Sequence, residues 1–132
     1  MLRSTYCLRF ENELDNLRAA LGALEQPSQA GVRLRLAGSL WRFWWIRGHF
    51  TEGLPWIDRA LNEAQDAPVH VRAKALGGAG LLAESQGRYD AATSLHEQAL
   101  HLRRGLGDEA GAIDSLANLG MLARVRGDYE RA

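Results

Sequence analysis

The chain has 132 residues, 46% hydrophobic and 24% charged, which suits one folded domain and excludes a disordered segment. Its 16 basic and 16 acidic residues cancel to a formal net charge of +0. The basic excess of a general nucleic-acid binder is missing, so nucleic acid is not the expected partner of this segment. Cys7 is the one cysteine, so no disulfide can form within the chain, which suits a reducing cytoplasm. No apolar run is long enough for a signal core or a membrane span, and no membrane partner is expected.

In chain order, Glu11 to Glu25 carries Leu14, Leu17, Leu21 and Leu24 at intervals of three and four, the stripe of an amphipathic helix. Residues 1–29 thus read as an N-terminal helix, a cap or the trailing helix of an earlier unit, with Ser28 placed to cap the next helix. Ala30 to Arg47 is apolar nearly all round through Leu36, Leu40, Phe43 and Trp44, so it should be buried on more than one side. Gly48 and His49 make a turn. Thr51 is the expected cap of a helix running to about Gln65, with Pro55 near its first turn. Asp66-Ala-Pro68 opens a helix to about Gln86, and a second runs from Tyr89 to about Arg104. Gly105-Leu-Gly107-Asp108 combines a glycine stop with an aspartate cap. The next helix covers Glu109 to about Arg126, and Gly127 is expected to turn the chain into another that opens at Tyr129.

One frame recurs along this series. Gly120, Gly127, Tyr129 and Ala132 repeat Gly80, Gly87, Tyr89 and Ala92 at a spacing of 40, and Gly48 and Phe50 precede Gly87 and Tyr89 by 39. A fixed period in this range marks stacked repeats, so the expected fold is all-α, a right-handed α-solenoid of antiparallel helix pairs. The units are 30–67, 68–107 and 108–132, the last cut within its second helix. In this frame Trp41 takes the place of Gly80, and Gly53 that of Ala92. In the helix-pair repeats that this frame resembles, those two positions face each other where the helices cross, so Trp41 is expected to lie over Gly53, a large-for-small exchange with its compensation across the crossing.

Sites of chemistry are scarce. Gly77-Gly-Ala-Gly80 lacks the strand and the lysine of a phosphate loop and belongs inside a helix, where glycine allows close contact. His49, His70, His96 and His101 share no metal-ligand spacing, and His96 falls at a core position. Ser85, Ser94 and Ser115 have no paired base, and Glu84, Asp90 and Asp114 read as solvated helix charges. No catalytic residue, metal or cofactor is expected. In the repeat that this frame resembles, Trp41, Trp44 and Trp56 fall at packing positions, whereas Trp45 is expected on the inner face of the array.

The frame resembles the tetratricopeptide repeat, carried by Leu76, Ala79, Gly80, Ala83, Gly87, Tyr89, Ala92, Ala99 and Leu100, then by Leu116, Leu119, Gly120, Ala123, Gly127, Tyr129 and Ala132. The units exceed the family's usual period of about 34 residues. This longer form, with Asp15–Leu21 and Trp41–Gly48, is similar to the sensor arms of bacterial regulators of the signal-transducing ATPase class; the phosphate loop of the ATPase itself is absent. The resemblance implies a non-enzymatic interaction scaffold, the sensor or partner-binding arm of a cytoplasmic bacterial regulator in transcription or signalling. It implies a groove lined by Arg35, Gly38, Arg42, Trp45, Lys74, Gly77, Leu81, Glu84, Asp114, Ala117, Met121 and Arg124. The cations of that set suit a protein or peptide partner of acidic character. Two other roles fit the architecture, a chaperone-tail-binding adaptor and a nucleic-acid-binding helical array. Gly38, Gly77 and Ala117 stand where a chaperone-tail groove places polar side chains. Leu116, Leu119, Leu122 and Ala123 are expected to be left uncovered by the incomplete last unit and to pair two copies of the chain as a homodimer through this end.

Overall fold

The computed structural model describes residues 15–23, 26–46, 48 and 50–131. Cys7, Leu14, His49 and Ala132, and the side chain of Tyr129, lie outside the described residues. Every regular element among those described is helical. Residues 15–23 form α1, followed by a three-ten turn Pro27–Gln29, α2 (Ala30–Ile46), α3 (Phe50–Glu63), α4 (Val69–Ser85), α5 (Tyr89–Leu106) and α6 (Glu109–Arg131). No helix among them is long and apolar enough to cross a membrane.

Glycine sets three of the turns. Gly48, Gly87 and Gly107 have φ of 71°, 75° and 70°, a left-handed conformation that a Cβ disfavours. After α4 the Arg88 N–H donates to the Ala83 carbonyl, and after α5 the Asp108 N–H donates to the Arg103 carbonyl, each at 2.9 Å. These bonds satisfy carbonyls that the helix leaves open. Asp108 then accepts from the Gly111 N–H at 3.0 Å and caps α6. Two expected caps are replaced. Ser28 lies in the three-ten turn, and α3 begins at Phe50, so Thr51 is already in its first turn. Arg72 closes the other end of α3, donating to the carbonyls of Leu61 (3.1 Å) and Ala64 (2.8 Å).

Helix α2 packs on α3 and α4, α3 on α4, α4 on α5, and α5 on α6. The core follows that chain of contacts and is filled by Leu21, Leu34, Trp44, Ile57, Leu82 and Leu122. Burying each such side chain contributes about 1.5–3 kcal/mol. Helix α4 is the most enclosed, with Val71, Ala73, Ala75 to Gly80, Leu82 and Ala83 all buried. Small residues permit this. A Cβ on Gly38 of α2 would stand 3.3 Å from the Ala75 Cβ, so these two backbones approach closely.

Three expectations are corrected here. Trp41 does not lie over Gly53. A Cβ on Gly53 would stand 2.7 Å from the Trp44 ring, and one on Gly78 would stand 2.7 Å from the Trp41 ring. Helix α2 serves two neighbours, so Trp44, one turn further along, meets α3 while Trp41 turns to α4. Gly127 makes no turn: α6 continues through it to Arg131. At Gly48, Gly87 and Gly107 the next helix packs back on the one before; no described helix does so after Gly127, and continuing the ladder satisfies the backbone at a cost of about 1 kcal/mol for glycine. Leu122 is not uncovered. It is 1% exposed and belongs to the core, while Leu116 is exposed, Leu119 half-buried and Ala123 exposed. The face of α6 turned to α5 runs through Ser115 and Leu122, and its exposed large apolar side chains are Ile113, Leu116 and Met121.

Candidate functional site

Helix α4 forms the floor of a concavity of about 300 Å³, walled by α2, α5 and α6. Arg42, Lys74, Gly77, Leu81, Asp114 and Ala117 of the sequence-derived groove all line it, together with Trp41, Gly78, Arg103 and Asn118. A second concavity of about 250 Å³ adjoins it at Lys74 and is lined by Arg35, Gly38, Ser39 and His70. Met121 and Arg124 are exposed further along α6, outside the lining of either concavity. Gly77 contributes no side chain and is itself buried.

The glycine run in α4 shapes this floor. It lies wholly inside the helix, as the absence of a phosphate-loop context requires. Each of its three glycines faces a different bulky group. A Cβ on Gly77 would stand 3.3 Å from the Arg103 guanidinium, one on Gly78 2.7 Å from the Trp41 ring, and one on Gly80 2.6 Å from the His96 imidazole. The missing side chains let all three groups lie directly on the α4 backbone.

Helix periodicity does not reveal Arg103. Its Nη1 donates to the Ser115 hydroxyl at 2.8 Å and to the Gly111 carbonyl at 3.2 Å, tying α5 to the first turns of α6. Ser115 is fully buried, and a buried hydroxyl needs a partner. Ser115 lies seven residues before the apolar Leu122 and so on the same helix face, and a hydroxyl on that face is the signal by which its arginine could have been found. Trp45, 47% exposed, is also held: its indole N–H donates to Ser85 Oγ at 2.9 Å, and that hydroxyl donates to the Leu81 carbonyl at 2.9 Å. Arg42 lies over the Trp41 ring at 5.6 Å.

Further along α4 a buried histidine stands beside a half-buried carboxylate. His96 has no exposed surface, and neither ring nitrogen has a hydrogen-bond partner among the described residues. Burial pushes its pKa down to about 4, and the nearby Arg103 guanidinium adds to the effect. Glu84 Oε2 lies 3.8 Å from His96 Nε2 and is equally without a partner. Glu84 is therefore not the solvated helix charge the sequence suggests: it is half-buried, and burial pushes its carboxyl above the usual range. Asp90 is exposed and paired with Arg126. Among the described residues no group of three histidine, cysteine or acidic side chains is placed to hold a metal ion.

No family model matches the chain. Two mycobacterial proteins, from Mycobacterium tuberculosis and Mycobacterium bovis, align with it at 32% identity over 121 residues, each covering 85% of this chain. Both bear the name "Putative HTH-type transcriptional regulator". The chain spans 14% of the length of these relatives. The helix-turn-helix of that name is a motif that reads DNA. The expectation that nucleic acid is foreign to this segment is therefore corrected: the relatives it aligns with are named for a DNA-reading motif, which charge balance within one short stretch does not exclude.

Proposed function

We propose that this chain is a helical segment of a bacterial HTH-type transcriptional regulator, a protein that acts on DNA, and that the segment contributes a non-enzymatic interaction surface of tetratricopeptide type. The alignment over 85% of the chain with relatives of that name carries the reading. The period of 40 between Gly80 and Gly120, and the succession of neighbouring helices from α2 to α6, support the repeat architecture. In this role the surface formed by α2, α4 and α6 takes the ligand or partner to which the regulator responds. Mapping the genomic DNA recovered with the tagged native protein from its host tests the regulator. Discrete enriched promoter regions are expected; uniform recovery would remove the basis of the reading.

A second reading, that the segment itself engages DNA, is favoured by Arg35, Arg42 and Lys74, which line adjoining concavities. Duplex binding by the chain would then weaken steeply with salt, with a slope of about −0.9 for each phosphate neutralised. A duplex that fails to bind even at low salt would leave only the first reading.

A further inference from the structure

Several cations among the described residues are already committed. Arg18 pairs with Asp15 and Glu52, Arg33 and Arg59 with Glu63, Arg126 with Asp90, and Arg72 is held by carbonyls. Arg35, Arg42 and Lys74 have no carboxylate or carbonyl partner among the described residues, and these three line the adjoining concavities. Lys74, the chain's one lysine, stands on the wall shared by both. Arg103 reaches the same floor from α5 and is held in place by Ser115 and Gly111 through Nη1 alone. Its other guanidinium donors have no protein acceptor among the described residues, out of five N–H groups in a fixed fork. Asp114 is the single carboxylate in either lining. On a chain with a formal net charge of +0, this is a local excess of positive charge in a pair of open concavities.

We infer that the hollow is a binding site for a small polyanion, a metabolite bearing phosphate or carboxylate groups. Three cations, Arg42 of α2, Lys74 of α4 and Arg103 of α5, line it, and Arg35 lines the concavity that adjoins it at Lys74; Arg103 is already oriented, which lowers the ordering cost of its contact when an anion enters. The volume of about 300 Å³ is at the lower end of ligand sites, which suits a compact metabolite rather than a chain segment. The larger hollow of about 410 Å³ between α4 and α5 does not compete: its arginine, Arg72, is committed to the end of α3, and Glu97 contributes a negative charge. The inference deepens the regulatory reading by naming the class of ligand, and its test is read on the chain in solution, so its failure leaves that reading standing.

The test is calorimetric titration of the complete chain with sodium pyrophosphate and, separately, trisodium citrate. Saturable one-site binding of either anion is expected, and the tighter of the two names the anionic group. Lys74→Met should weaken it about tenfold or more, whereas Arg59→Met, which removes a cation already paired on α3, should leave it unchanged. Arg42→Met, read by the same criteria, serves if Lys74→Met melts early. Heats that never saturate, or equal losses in Lys74→Met and Arg59→Met, would overturn the site. So would displacement of the anion by a duplex of about 20 base pairs in a strongly salt-dependent manner, because the hollow would then be a contact for the DNA backbone.

Discussion

Two helix pairs in this molecule solve the same packing problem with the volumes exchanged. Where α2 crosses α3, the large group is on the first helix: Trp44 fills the space left by Gly53. Where α4 meets α5, the large group is on the second: His96 fills the space left by Gly80. Both groups are buried, Trp44 at 1% exposure and His96 at 0%. The exchange shows that it is the summed volume at the crossing that is held, not the residue at a given register. It also gives the two pairs different chemistry. The indole is apolar bulk with one N–H, which has no acceptor among the described residues, whereas the imidazole can take a proton.

The largest expected effect is on the first pair. Trp44→Ala empties the crossing and should cost about 3–5 kcal/mol in a denaturant titration. The same truncation at the half-buried Trp41 should cost less, since that ring is partly accessible beside Arg42. Equal losses would mean that both indoles fill the α2 and α3 crossing.

The next effect separates the pairs by pH. The His96 pKa falls from 6.5 in the unfolded chain to about 4 in the fold. Above 6.5 the ring is neutral in both states and adds no pH dependence. Below it the unfolded chain takes up a proton that the fold refuses, so stability falls as pH falls towards 4, by about 3 kcal/mol in all. Glu84, raised by burial, works the other way, because the fold takes up its proton first as pH falls. The histidine shift governs the window between 6.5 and 4. His96→Leu keeps the bulk without the titration and should flatten the melting temperature across it. A wild-type profile already flat from pH 7 to 5 would show that the imidazole accepts a proton in place, beside Glu84.

Adding a methyl tests the exchange directly. Gly53→Ala and Gly80→Ala place a Cβ within 2.7 Å and 2.6 Å of the opposing ring, and each should destabilise by about 1–3 kcal/mol. If the rings are the cause, His96→Ala should largely relieve Gly80→Ala, and the coupling in a double-mutant cycle should exceed about 0.5 kcal/mol. Strict additivity would place the strain elsewhere. The smallest effect concerns the turns. Gly87→Ala, at φ 75° with open space around it, should cost about 1–2 kcal/mol from the backbone alone. Gly127→Ala, inside α6, should stabilise by up to about 1 kcal/mol. A loss at both positions would restore a turn at Gly127.

The places where sequence and structure agree and part have physical causes. All-helical structure is legible because leucine and alanine spacing repeats at three and four, and the stops at Gly48, Gly87 and Gly107 because left-handed backbone selects glycine. The partner of each tryptophan is not legible. Trp41 and Trp44 are one turn apart on the same face, and only the crossing point decides which meets α3 and which meets α4. Leu122 escapes the pattern because its exposure depends on how α6 is rotated against α5, which Ser115 and Arg103 fix from outside the apolar stripe. Arg42, Lys74, Gly77, Leu81, Asp114 and Ala117, which line the concavity on α4, are residues that the sequence register singles out. Arg103 is not, because a long side chain acts one helix away from where it is attached.

The glycine run of α4 has a consequence for how the molecule assembles. Gly77, Gly78 and Gly80 each weaken an isolated helix by about 1 kcal/mol relative to alanine, so α4 has little tendency to form ahead of its neighbours. Helix α5, with only Gly105 near its end, has no such handicap. The most enclosed helix of the fold is thus the one least able to nucleate it. It is expected to consolidate late, around Trp41, Arg103 and His96 as those groups are delivered to it. Substitutions along α4 should then act mainly on the rate of unfolding, and those in α5 on the rate of folding. The central helix behaves as mortar set between its neighbours and not as the first stone laid.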